Sequence, residues 1–398
     1  MVLKNQDDLF NVCAAALFSK KIEIKKLDFF KIVKEAKLQA VLPLVENKIF
    51  VHYKDAHEEA MKIVSKNIQV FCAHEEVHRL LTNNKVPYVV LKGVASASYY
   101  KEPVLRTMGD VDLFVAADDF DKCDKLLCSI GYIKEKDAEL RTNHVAFRKR
   151  VGNNNIVCEL HHKINGVPDN DANVINKYLE NIFDKAYLYS SQNSACIVPS
   201  TFHHGIILLL HTASHLTSEG IGLRHLCDWA VFVNSLSNDE FVKVFEKPLK
   251  EMGLWRFARL ITLCCARYLG CDCKDWAGEA DDELLEAIIA DVLDGGNFGF
   301  KDNDRCHQIK YIKHRNDKTV DGKKSLFQAL FTINSKAKHK CKFVRKHKWL
   351  LPIGWVVVVF NYIWLVLSGK RKLDSFSTID RANARKKIYS EFHLYKPE

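Results

Sequence analysis

The feature that most constrains this chain is a change of hydrophobic period near Asn83. Before it, apolar residues recur at spacings of three and four, as in Leu27, Phe30, Val33 and Ala36, and a longer helix is expected from about Ala56 to Leu81. After it the pattern becomes strand-like. Val86-Pro87-Tyr88-Val89-Val90-Leu91 is a short β-rich run that ends at Lys92-Gly93. Val111–Val115, His144–Arg148 and Ile156–His161 follow as further strands, with Asp118–Ile130 as an amphipathic helix stopped by Gly131. Gly152-Asn153-Asn154-Asn155 reads as the turn of a hairpin. Helical periodicity returns with His204–His215 and Leu223–Leu236. The expected division is a helical segment over 1–81, an α/β core over 82–199, a helical domain over 200–302, and a basic segment with an apolar helix over 303–398.

Within the strand-like region, Gly109-Asp110-Val111-Asp112-Leu113-Phe114-Val115 carries the most chemistry. Residues two apart in a strand share a face. Asp110 and Asp112 therefore project together, while Val111, Leu113 and Val115 turn to a core. Two carboxylates on one point repel unless a cation lies between them. Hard oxygen ligands suit Mg²⁺, which commonly takes one or two carboxylates plus substrate phosphates. Glu159 is the candidate third acid. On Ile156–His161 it shares a face with His161, leaving Ile156, Cys158 and Leu160 for the core. Upstream, a strand runs through Lys92 into Gly93 and Ser96 at a helix start, where backbone amides can approach phosphates. Lys92 and Arg106 are candidates to neutralise phosphate or carboxylate charge.

These residues carry a family resemblance. Leu91-Lys92-Gly93, Tyr99-Tyr100, Arg106, Gly109-Asp110-Val111-Asp112-Leu113, Gly131-Tyr132 and Glu159-Leu160-His161 resemble the uncharacterised nucleotidyltransferases of the polymerase-beta-like superfamily. So does Gly220-Ile221-Gly222-Leu223-Arg224-His225-Leu226-Cys227-Asp228 in the helical half. The resemblance runs over roughly residues 10–300. It implies an α+β fold: a small mixed β-sheet nucleotidyltransferase core with an N-terminal helical cap and a C-terminal helical domain. It also implies two-metal-ion transfer of a nucleoside monophosphate from an NTP, with release of pyrophosphate. Asp110, Asp112 and Glu159 would be catalytic and would hold Mg²⁺ or Mn²⁺. Lys92, Gly93, Ser96, Arg106 and Arg224 would contact the nucleotide. At the turn the sequence departs from the superfamily, with Val94 where a second Gly or Ser is usual. The acceptor, whether small molecule, sugar or protein, is not legible. The rival readings are a catalytically silent nucleotide-binding or regulatory protein, and a phosphotransferase using the same acids.

Other signals have plainer readings. His211 and His215 share a helix face but lack a third ligand, and read as core or groove histidines. Arg224 and Asp228 have the spacing of a helix ion pair. The thirteen cysteines are scattered, without a disulfide or zinc framework. Their odd number, and a first segment without a signal-peptide pattern, point to a cytoplasmic protein.

The net charge of +10 is concentrated. Lys310–Lys348 holds thirteen Lys and Arg against Asp317 and Asp321. It precedes the apolar run Trp349–Ser368, which reads as a buried or peripheral helix rather than a membrane span. Together, residues 310–370 suggest contact with an anionic membrane surface. Aromatic residues are sparse in the basic stretch, which disfavours nucleic acid.

Overall fold

The computed structural model describes residues 7–23, 27–135, 144–168, 172–191, 194–299, 301, 305, 348–367 and 376–398. They fall into two compact units, one drawn from 1–305 with 388–398 and the other from 306–387.

The first unit is built on a five-stranded mixed sheet. Its strands are β1 (Tyr88–Val90), β2 (Asp110–Val115), β3 (Ile133–Lys134), β4 (His144–Val151) and β5 (Asn154–His161). They lie in the order β1-β2-β5-β4-β3. Only β2 and β5 run parallel, with Asp112 opposite Glu159; the other pairs are antiparallel. β4 and β5 form a hairpin whose turn is two residues, Gly152-Asn153, not the four expected. Gly152 at φ +58° takes the position that needs a left-handed residue.

Alternation decides what each face meets. Val111, Leu113, Phe147, Cys158 and Leu160 point to one side and are fully buried. There they pack on Val70, Phe71, Val77 and Leu81 of α4 (His57–Asn83). The acidic residues necessarily take the opposite face. Four helices precede the sheet: α1 (Asp7–Phe18), α2 (Phe29–Leu38), α3 (Leu42–Ile49) and α4. Pro43 sits in the first turn of α3, where its missing N–H costs nothing. Next come α5 (Val94–Ala97) after β1 and α6 (Phe120–Ser129) after β2. Beyond the sheet lie α7 (Ala172–Leu179) and a separate hairpin, β6 (Tyr187–Ser191) with β7 (Ser194–Val198). This second sheet was not anticipated, because its strands are short and half exposed.

The helical half contains α8 (Thr201–Leu216), α9 (Leu223–Asn234), α10 (Asn238–Glu251), α11 (Trp255–Leu269) and α12 (Asp282–Gly295). It shares one core with α1–α3. Two polar anchors fix its position. Gln39, fully buried, accepts the N–H of Leu223 at 2.9 Å through its side chain and that of Arg224 at 3.3 Å through its carbonyl. These are orphan donors of the first turn of α9. Arg106, on the loop before β2, donates to both oxygens of Asp228 on α9 at 2.7 Å, and the Tyr100 hydroxyl donates to the same carboxylate at 2.7 Å. The helix pair expected between Arg224 and Asp228 is therefore replaced by a bridge from the sheet half to the helical half.

In the second unit α13 (Leu351–Leu367) covers most of the apolar run. No described helix is long and apolar enough to cross a membrane. Trp349, Ile353, Val356, Phe360 and Trp364 are exposed along one side, so the run is not simply buried. The basic stretch 310–347 lies outside the described residues. α14 (Phe376–Glu391) leads to Phe392, which is buried edge-on against Phe257.

Arg106→Ala should strand Asp228 as an uncompensated buried charge. A destabilisation of about 3–5 kcal/mol is expected, measured by denaturant unfolding of the full chain. A loss below about 1 kcal/mol would mean that the bridge contributes little to the fold.

Candidate active site

Asp110 and Asp112 emerge from β2 on the face away from α4, and Glu159 reaches the same point from β5. One oxygen of each lies within 4.8 Å of the others. The parallel register brings this about, since it sets Glu159 directly beside Asp112. Asp112 is 1% exposed, and its charge is met by two cations. The Lys92 ammonium donates to Asp112 Oδ1 at 3.0 Å, and His161 Nε2 lies 3.1 Å from the same oxygen. His161 Nε2 also lies 3.4 Å from Glu159 Oε2.

The electrostatics separates the three acids. Burial opposes the charge on Asp112, but Lys92 and His161 outweigh it and hold the carboxyl well below its ordinary range. At Asp110, Lys92 and Arg224 only partly offset the opposing causes. Burial and the neighbouring Asp112 push its carboxyl up to about 6. Glu159 is half-buried, yet His161, 3.4 Å away, keeps it below the usual glutamate value. His161 loses by burial and gains more from Asp112 and Glu159, so its pKa is raised.

A divalent cation fits this set. The oxygens are hard donors, and Asp112 Oδ2 is buried without a hydrogen-bond partner, a cost that a bound ion would remove. Asp110 and Asp112 line a cleft. Lys92, Gly93 and Ser96 line one wall, and Arg224, His211, His225 and Phe298 another. Gly93 adopts φ +62°, which a side chain would strain, with the Asp110 carbonyl and His74 close by.

The other candidates divide by what they already bind. Ser96 is buried, with its hydroxyl 3.3 Å from His204 Nε2. Arg106 lines the cleft with its charge neutralised by Asp228. Arg224 differs. It donates from Nη1 to the Thr107 carbonyl at 3.1 Å and lies over the Phe298 ring at 5.3 Å. It has no carboxylate partner among the described residues, and its buried Nε is unpaired. Burial, then Arg106, lowers its pKa, as expected of a guanidinium short of anions. His225 takes the Gly222 N–H at Nδ1, and burial keeps the ring neutral. Its proton therefore sits on Nε2, a second buried donor without a partner. His215, by contrast, pairs with Glu219 at 2.9 Å.

Sequence reasoning missed three contributors. Phe298 sits in a turn at φ +54° with no motif to announce it. Gln39 is far away in sequence. His144 lies opposite His161 across the hairpin, and counting outward from a two-residue turn would have found it.

Asp110 gives a pH signature. A proton on it competes with a cation, so Mg²⁺ affinity should rise up to about tenfold per unit until about pH 6 and then level off. In the metal-free protein the sign reverses. The folded state holds this proton more tightly than the unfolded one, so its stabilising share is full below about pH 4 and lost as pH rises through about 6. Calorimetric Mg²⁺ titrations of the full chain across this range test the first effect, and a flat profile would contradict it.

Among known proteins, neither a curated protein nor a solved structure matches this chain. A family model does, described as an uncharacterised nucleotidyltransferase, over residues 29–270. That range contains all three acids, Lys92, Gly93 and Arg224, and covers well over half of the 398 residues. The chain belongs to this uncharacterised nucleotidyltransferase family.

Proposed function

We propose that the protein transfers a nucleoside monophosphate from an NTP to a hydroxyl-type acceptor. The observation that carries this reading is the convergence of Asp110, Asp112 and Glu159, the first two lining a cleft that also holds Arg224, which has no carboxylate partner among the described residues. An acceptor oxygen attacks the α-phosphorus, and the bond to the β-bridging oxygen breaks. Pyrophosphate leaves with that electron pair. Mg²⁺ or Mn²⁺ held by the three carboxylates would supply Lewis-acid stabilisation of the phosphoryl oxygens. Lys92 and Arg224 place positive charge on either side of the triphosphate, and Gly93 and Ser96 keep the near wall low enough for it to approach. The proton leaving the acceptor passes to a carboxylate, for which we assign the ionised Glu159.

Asp110→Asn is the cleaner test of the acids, because Asp112→Asn would also leave Lys92 and His161 without their buried partner. We expect Asp110→Asn to lower pyrophosphate release from labelled NTPs at least about 100-fold with the fold intact. Arg224→Met should instead raise KM for the NTP about 10–100-fold, as loss of a charged contact does. Unchanged transfer in Asp110→Asn would sink the reading. Activity without pyrophosphate release would favour a phosphotransferase.

We place the protein in the cytoplasm, on the sequence grounds above, with α13 touching an anionic membrane. The exposed side bearing Trp349, Phe360 and Trp364 supports that contact, as does the basic sequence before it. Binding to anionic vesicles should fall as salt rises and vanish without residues 310–370. Equal binding to neutral vesicles, or none to either, would reject it.

A further inference from the structure

Beside the acidic trio lies a second set of donor atoms of different chemistry. His144 on β4 stands directly opposite His161 on β5, and Glu159 shares their face. One atom from each of the three lies within 4.8 Å of the others. His144 Nε2 is 3.6 Å from Glu159 Oε1, and His161 Nε2 is 3.4 Å from Glu159 Oε2. Both separations are long for hydrogen bonds, which favour about 2.7–3.2 Å. The His161–Glu159 separation is that of neighbouring ligands on a tetrahedral ion, about 3.3–3.4 Å for bonds of about 2.0–2.1 Å.

We infer that His144, Glu159 and His161 form a transition-metal site, distinct in ligand chemistry from the all-oxygen set of Asp110, Asp112 and Glu159. Two imidazoles and a carboxylate select Zn²⁺ and its first-row neighbours over Mg²⁺, which prefers oxygen alone. All three ligands come from paired strands, so the set is held by the ladder rather than by a loop. Three protein ligands leave a fourth position open to water or substrate. Glu159 belongs to both sets, and a metal on His161 Nε2 would displace its proton and its contact with Asp112 Oδ1, so an ion at one site would constrain the groups available to the other. The site does not require the transfer reading, since it is defined by its donors.

The test uses the full chain without nucleotide, titrated calorimetrically with Zn²⁺ alone and then with Zn²⁺ in excess Mg²⁺. Wild-type protein should bind one Zn²⁺ that Mg²⁺ does not displace. His144→Asn should weaken that binding about 100-fold or more while keeping its Mg²⁺ affinity, which also reports an intact fold. Asp110→Asn should do the reverse, losing Mg²⁺ and retaining Zn²⁺. The inference is overturned if wild-type protein binds no Zn²⁺, if Mg²⁺ competes it away, or if Asp110→Asn rather than His144→Asn removes it. A protein that binds Zn²⁺ as expected yet releases no pyrophosphate from any NTP would retain this site and lose the proposed function.

Discussion

The contact on which the site rests is the meeting of Lys92 and His161 at one oxygen of Asp112. A carboxylate 1% exposed is untenable alone, because the interior cannot replace its hydration. Two cationic groups on the same oxygen make it tenable, and they come from different places in the chain. Lys92 follows β1, and His161 ends β5. β1, β2 and β5 are thus tied through a polar contact on one face as well as by the apolar layer on the other. Asp110, whose charge Lys92 and Arg224 only partly offset, is left as the acid that an incoming cation must satisfy.

A second division of charge follows in the helical half. Asp228 could have paired with Arg224 one turn away, but both of its oxygens are taken by Arg106. The bridge fastens α9 to the loop before β2. It also leaves the Arg224 guanidinium against a backbone carbonyl and an aromatic face, neither of which neutralises it. A half-buried cation with no carboxylate partner among the described residues carries a desolvation cost. An anion entering the cleft would relieve it, so the structural pair and Arg224 belong to one arrangement.

How much of this could be read from the sequence depends on the range of the interactions. The face-sharing of Asp110 with Asp112, and of Glu159 with His161, follows from strand period alone, and the core side of Ile156, Cys158 and Leu160 follows with it. Placing Glu159 beside Asp112 requires the parallel register, which no local pattern encodes. The hairpin shows how sharply register depends on loop length. Reading four residues into the turn instead of two shifts the pairing by two positions and moves His144 away from His161. The exchange of Asp228 from Arg224 to Arg106 was hidden for the same reason: helix spacing shows who is within reach, whereas tertiary packing decides who binds.

Gln39 makes the point from the opposite direction. A glutamine after an amphipathic helix reads as a surface residue, yet this one is fully buried and uses all four of its polar groups. Its carbonyl and side-chain oxygen take two N–H groups at the start of α9, and its amide nitrogen donates to the Leu293 carbonyl on α12 at 3.1 Å. The N-terminal helices therefore do more than cover the core. They hold the first turn of the helix that carries Arg224 and His225, and so set how far the cationic wall stands from the acids on β2. A change at Gln39 would reach the cleft by rotating that turn, although Gln39 does not line it.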